Sequence, residues 1–586
     1  MKEEGMFQGW TPNIRRHSPM PLDLGHLTHI FTCSDPKAIE VPPYNALPKT
    51  KTISHDKEDK EEDVITRILG DFGSWQLRSL LILFLCKIPA AWFMACILFT
   101  APDLYPEEEY TCDTSAFGPA DNSTVSLDQC YVMVYYGDSG YAMRQCRKFL
   151  YTTGFHSLTM EFDLVCLCDF FVAWSQYWHL FGLLIGGVAA SKLMRVLSPR
   201  QIYGTGIWCL LMCSLLMGLV KDFSLHCGLR CLAAVSCCFM ITSGHSIFSD
   251  ITAGKYRLGA LLLYDCFWAL GLILLPGLAH GAPSWQHIYI GVTLSLLVVV
   301  FLLPWTPDSP RWQLQHTKDT QLAVERTVGI LLEAARTNGS LDKVSKELPQ
   351  QLGELRERLL EQKPTVSWMH LWMGQRRSSF HLVAVHMALA TFMVVNTGLL
   401  LHVRSFGREH LVSNTLAMGL AEMSGCFLAL HLTFNQSERK WQWAGGFAMV
   451  VGCIGSICLL LAQQDVPEVY GLTLGLLMAS LPQAAVACAQ SMILACMGEL
   501  VPPEQRHCLS FSAATFARVW QLSASFLTLL RQVNPAFSLS AFCLLVILGG
   551  ICTSCLSTPN KEQEQEQKQE LEGAAGHRKP QLIAYT

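Results

Sequence analysis

The sequence predicts an all-α integral membrane protein whose twelve helices fall into two halves of six. Three observations carry this. Of 586 residues, 51% are hydrophobic and only 15% are charged, with a mean hydropathy of +0.29; a soluble chain of this size carries more charge. Apolar runs of 18 residues or more recur, each long enough to cross a bilayer as a helix. A short motif running from an acidic residue to an arginine returns at the same place in each half. The net charge of −4 and the lack of a basic patch give no footing for nucleic acid. No catalytic triad, metal-ligand spacing or phosphate loop is present, so no enzyme activity, metal or cofactor is expected.

In chain order, residues 1–78 form a polar N-terminal region containing "SHDKEDKEED". It lacks a short apolar core with a cleavage site, so the first span is expected to act as its own insertion signal. Spans at 79–100, 170–192, 201–220, 228–248, 258–279 and 286–304 build the first bundle, 79–304. It is interrupted by a long loop at about 102–168. A central loop, 305–378, contains "KELPQQLGELRERLLEQK", whose charges recur at i, i+3 and i+4 and so predict short surface helices in a solvated linker. Spans at 379–400, 411–434, 443–463, 469–498, 508–530 and 534–556 build the second bundle, 379–556. Polar residues interrupt the second, fourth and eighth spans. The tail, 557–586, is polar, of low complexity, and expected to be disordered.

Charge asymmetry sets the orientation. The first loop holds three Lys/Arg residues and the central loop eleven. The central loop is therefore expected in the cytosol, and with an even span count so are both termini. The chemistry of the first loop agrees. It carries the sequon at Asn122 and the cysteines Cys112, Cys130, Cys146 and Cys166, with Cys168 beside them; these suit an oxidising exterior. Two bridges are expected, with their pairing unreadable. A second sequon, at Asn338, lies in the central loop and is expected to stay unmodified. Most of the other cysteines sit in apolar spans as small packing residues.

The repeated motif is "DITAGKYR", Asp250 to Arg257, after the fourth span, and "ELVPPEQR", Glu499 to Arg506, after the tenth. Equivalent marks in two six-span halves suggest a two-bundle transporter. A third mark, "PDSPRWQLQ", follows the sixth span. Its prolines end the helix, and Asp308 and Arg311 are placed at the cytosolic interface. Here the chain resembles solute carrier family 22, the organic cation, anion and zwitterion transporters of the major facilitator superfamily. "ILGDFGSWQLRSLLILFLCKIPAAW", "MEFDLVC", "KYRLGALL" and "GELVPPEQRHCLSFSA" support the resemblance, which covers roughly 64–556. It implies the major facilitator fold and alternating access, with the motif residues above acting as cytosolic gating and structural elements. One departure bears on switching. The family's Gly-x3-Asp-Arg-x-Gly-Arg-type loop is replaced by "GGVAASKLMRVLSPRQ", with Ser191 or Arg195 where its aspartate stands. The matching loop in the second half reads "FNQSERKWQWAGG".

Ionisable residues inside spans are candidate functional groups. They are Lys87, Arg230, Asp265, Glu422 and Arg518. Lys87 and Arg230 lie near span ends and are expected to snorkel. Asp265 neighbours Tyr264, Phe267 and Trp268, an aromatic group suited to lining a cavity; an ion pair with an arginine is the alternative. Glu422 matches an acidic position of the family and serves either packing or the cavity. Arg518 shares a helix face with Ala514, Thr515, Gln521 and Ser525, opposite Phe516, Trp520 and Leu527. The resemblance puts it where anion transporters carry an arginine and cation transporters an aspartate. The alternative is an internal pair with Asp265 or Glu422. The expected function is a secondary-active or facilitative carrier of organic ions, most simply anions, in the plasma membrane. Its partners would be a small organic ion, a counter-ion and the lipid bilayer. The competing readings are a non-transporting receptor or scaffold, and a cation or zwitterion carrier.

Overall fold

The computed structural model describes residues 64–557, apart from 105–107, 115–123, 129, 136–140, 362–375, 407–409, 437, 463–467 and 502–504. The Asn122 sequon and both polar termini lie outside the described residues.

Among the described residues, twelve helices build the two halves. In the first half they are α1 (Ser74–Thr100), α2 (Phe170–Leu193), α3 (Pro199–Met217), α4 (Phe223–Ile251), α5 (Gly254–His280) and α6 (Trp285–Leu302). In the second they are α7 (Arg376–His402), α8 (Leu411–Asn435), α9 (Lys440–Ala462), α10 (Glu468–Cys496), α11 (Arg506–Gln521) and α12 (Pro535–Ser554). Among the described residues nine helices are long and apolar enough to cross a membrane by length and composition alone. The helices α2, α3 and α11 fall short of that measure. The helix α11 ends at Gln521 and continues only as short turns over Ala524–Leu527 and Thr528–Gln532.

Two starts lie five residues ahead of the sequence expectation. The helix α1 begins at Ser74 rather than residue 79, and α4 begins at Phe223 rather than 228. Polar residues delayed the apolar signal, but Asp222 caps α4 by accepting from the Leu225 N–H, so the helix starts there.

Small residues let the helices approach. A Cβ on Gly182 of α2 would lie 2.2 Å from the Cys231 carbonyl of α4, and one on Gly186 would lie 2.8 Å from the Cys238 Cβ. The second half repeats this at the equivalent pair, where a Cβ on Gly425 of α8 would lie 2.3 Å from the Ala484 carbonyl of α10. Close backbone approach of this kind is how helices bind one another without a hydrophobic drive.

The first loop holds two small antiparallel sheets. One pairs β1 (Tyr110–Cys112) with β5 (Phe149–Tyr151); the other is the meander β2 (Thr124–Asp128), β3 (Tyr131–Tyr135), β4 (Tyr141–Gln145). Disulfides Cys112–Cys146 and Cys130–Cys166 fasten them, and Cys168 remains a thiol.

The central segment is more than a solvated linker. Its helices Pro310–His316, Thr320–Asn338 and Leu348–Glu361 bury Leu314, Val324, Val328, Leu331, Leu348 and Leu352 in a core of their own. Ile65, Ile68, Leu69 and Trp75, from just before and at the start of α1, complete that core. Asn338 ties the two segments: its Oδ1 accepts from the Trp75 N–H at 2.9 Å and its Nδ2 donates to Gln76 Oε1 at 2.8 Å. This sequon side chain is thus spent on structure.

Candidate functional site

The charged groups meet where the halves meet. The longest seam joins α5 to α8, with α5 also touching α10 and α2 touching α11.

Lys87 does not snorkel. With α1 starting at Ser74, it lies well inside the helix, 8% exposed. Its Nζ donates to Asp265 Oδ1 of α5 at 2.8 Å and stands 4.2 Å from the centre of the Tyr264 ring and 5.9 Å from the Trp268 ring. Asp265 Oδ2 accepts from Ser491 Oγ of α10 at 3.0 Å, which carries the network across to the second half. The partner of Asp265 is therefore a lysine and not an arginine. Tyr264 is buried in the first half against Phe84 and Phe248, and Phe267 packs on Phe84. Trp268 is half-buried.

Glu422 on α8 is 6% exposed and accepts from Asn396 Nδ2 of α7 at 3.3 Å and from Gln483 Nε2 of α10 at 3.2 Å. Among the described residues no cation touches it.

Arg518 on α11 is half-buried. It donates to Gln521 Oε1 at 3.1 Å, and Gln521 Nε2 donates to Thr397 Oγ1 of α7 at 2.6 Å. Neither Asp265 nor Glu422 pairs with it, and among the described residues it contacts no carboxylate. The internal ion pair considered from sequence is absent there. Trp520, on the opposite face, is 52% exposed, as the small-polar against bulky division of the helix predicted.

Arg230 also departs from expectation. It is 0% exposed. Its guanidinium donates to Gln176 Oε1 at 2.6 Å, to the Tyr289 hydroxyl at 3.3 Å and to Cys96 Sγ at 3.6 Å. The early start of α4 sets it two turns inside the helix, too deep to reach the interface. The expected span start at 228 hid this.

Toward the end of the molecule holding the central segment, each half has its own ion pair. Asp250 accepts from Arg311 Nη1 at 2.7 Å and from Ser309 Oγ, while Arg311 also donates to Thr66 Oγ1 at 3.0 Å. Asp308 holds the Ser309 N–H at 2.9 Å and Gln313 Nε2 at 2.8 Å. Glu499 accepts from Lys440 Nζ at 2.5 Å. The acid of each repeated motif thus pairs outside it, and among the described residues Arg257 and Arg506 form no ion pair. Ser191 turns back on its own helix, donating to the Gly187 carbonyl at 3.0 Å. At the opposite end, beside the disulfide-bonded loop, Asp103 after α1 and Arg404 after α7 join the halves at 2.5 Å. No sequence signal marks that pair, whose members are 301 residues apart. Near it a small cavity, of about 30 Å³, is lined by both halves, including Ile97, Val172 and Gln176 on one side and Leu401, Ser525 and Thr528 on the other.

Residues 169–527 match the family described as Major Facilitator Superfamily. Curated relatives are members of solute carrier family 22. Member 1 of Bos taurus is 24% identical over 346 residues, 54% of this chain and 58% of its own. Member 3 of Rattus norvegicus is 25% identical, covering 65% and 73%, and member 13 of Homo sapiens is 23% identical, covering 73% and 74%. The match to member 1 of Sus scrofa spans 34% of that relative's length. Among solved structures, the inward-open conformation of the xylose transporter XylE from E. coli superposes with a TM-score of 0.56 at 13% identity, over 84% of this chain and 99% of that one. Its partially occluded inward-open form gives 0.54 at 12% identity, over 82% and 98%. At such identity the likeness concerns the fold alone.

Proposed function

Since the chain belongs to the major facilitator superfamily, with relatives in solute carrier family 22, we propose that it carries organic anions across a membrane by alternating access. The observation that carries this reading is the state of Arg518. It is a fixed positive charge at the seam of the two halves, balanced by no carboxylate among the described residues and held in place by Gln521 and Thr397. A planar guanidinium so presented suits a carboxylate or sulfate. The acids that would serve a cation are engaged: Asp265 by Lys87 and Ser491, Glu422 by two amides. Trp268 supplies an aromatic surface for the organic part. In this reading the disulfide-bonded loop with Asn122 faces outward at the plasma membrane, both termini face the cytosol, and a gradient or exchanged counter-ion drives uphill flux.

A second reading has one observation in its favour. Ser191, which with Arg195 is one of the two residues that stand in for the aspartate of the family's loop, bonds its own helix among the described residues. A chain without that lock suits a receptor or scaffold that does not cycle.

Uptake of a panel of labelled organic anions into cells, with surface expression matched, separates the two. Saturable uptake that falls roughly 10- to 100-fold in kcat/KM in Arg518→Ala, the worth of one charge-assisted hydrogen bond, supports the carrier. Uptake unchanged in the variant removes Arg518 from the site. No uptake by the wild type with normal surface expression supports the receptor.

A further inference from the structure

We propose that the first half holds a buried inorganic anion of halide size at Arg230, between α1, α2, α4 and α6 and separate from the site at Arg518.

The argument starts from charge. A guanidinium stays protonated at any accessible pH, so Arg230 cannot shed its charge as a buried lysine would. It is completely buried, and a buried ion without a counter-charge costs several kcal/mol. Its three partners, Gln176, Tyr289 and Cys96, are all uncharged acceptors. Facing it are Cys96 from α1, Gln176 and His179 from α2, His226 and Cys227 from α4, and Tyr289 from α6. Among the described residues no aspartate or glutamate stands in this group.

Hydrogen-bonding capacity points the same way. Arg230 Nε has no protein partner, nor has Nδ1 of His179, either ring nitrogen of His226, or Nε1 of Trp285. All four side chains are at least 99% buried. The rings are neighbours: His226 lies 5.6 Å from Trp285 and 6.0 Å from Tyr289. Two of these groups, the guanidinium Nε–H and the indole N–H, can only donate. Water would satisfy the donors and leave the charge; a small anion does both.

The packing sets the size. Phe93, Trp285 and Tyr289 are all fully buried around the cluster, which suits a single ion and no organic group. Gln176, which holds Arg230, also lines the small cavity between the halves.

The test is binding of radiolabelled chloride to the purified full-length chain in detergent, which requires no transport activity. The expected result is saturable binding, displaced by bromide and not by gluconate. It is lost in Arg230→Gln and retained in Arg518→Ala. Should Arg230→Gln fail to fold, Trp285→Phe removes one donor and is expected to weaken binding about tenfold. In parallel, the melting temperature of the wild type should climb with chloride when gluconate keeps ionic strength constant. Absence of saturable binding to the folded wild type overturns the proposal. So does binding that survives Arg230→Gln, that is not weakened by Trp285→Phe, or that disappears with Arg518→Ala instead.

Discussion

At the scale of residues, three basic side chains inside the membrane are settled in three ways. Lys87 has a carboxylate, Arg230 has neutral acceptors, and Arg518 has an amide. The sequence showed each as a charge in an apolar run, but it could not show the partners, because Lys87 and Asp265 are 178 residues apart. The pair makes a measurable demand. Lys87→Met leaves Asp265 with Ser491 alone in a nearly dry seam. Removing one member of a buried pair costs about 3–5 kcal/mol, whereas replacing both with apolar groups of similar size is close to neutral. Thermal melts of the purified chain should therefore fall sharply for Lys87→Met and recover most of the loss in Lys87→Met/Asp265→Leu. A double variant as unstable as the sum of the singles would mean the two groups act independently.

At the scale of elements, the spans were legible because a run of apolar residues long enough to cross a bilayer has few other uses. The starts of α1 and α4 were not, since capping and polar first turns carry no hydropathy signal. Those few residues decided whether Lys87 and Arg230 reach an interface. The core of the central segment was hidden as well: Ile65, Ile68, Leu69 and Trp75 belong to it, more than 230 positions upstream of the helices they cover. Helix pairing rests on glycines that hydropathy does not register. Gly182 meets the Cys231 backbone, which cannot yield as a flexible side chain would, while Gly187, five positions along the same helix, has nothing within 4 Å of an added Cβ. Gly182→Val should part α2 from α4 and cost about 1–3 kcal/mol or more by overpacking. Gly187→Val should stay within about 0.5 kcal/mol of wild type. Equal losses at both positions, read from melting temperature and detergent-soluble yield, would show that helix propensity and not close approach governs the effect.

At the scale of the whole molecule, the repeated motifs correctly marked two equivalent halves, yet each motif's acid reaches a partner on another element, Arg311 in one half and Lys440 in the other. Neither pair joins one bundle to the other. The Asp103–Arg404 pair is different, because it joins one half to the other beside the disulfide-bonded loop. Phe170 of α2 stacks on Phe526, just past α11, with ring centres 6.0 Å apart, and adds an apolar contact between the halves. Together they tie the halves to one another at this end. Under the alternating-access reading proposed above, removing a contact made in only one of two states shifts the population between them. Arg404→Glu sets two carboxylates face to face and should favour opening at this end. A cysteine placed at Gln176, in the cavity beneath, reports the change through its rate of labelling by a membrane-impermeant maleimide. That rate should rise about tenfold, as expected for a shift of about 1.4 kcal/mol. The charge-swapped Asp103→Arg/Arg404→Glu chain should return it toward the parent rate, since the attraction is restored with its direction reversed. A rate that rises in the single variant and stays high in the swap would indicate local damage at Arg404. A rate that never changes would mean that the α5–α8 seam holds the halves by itself.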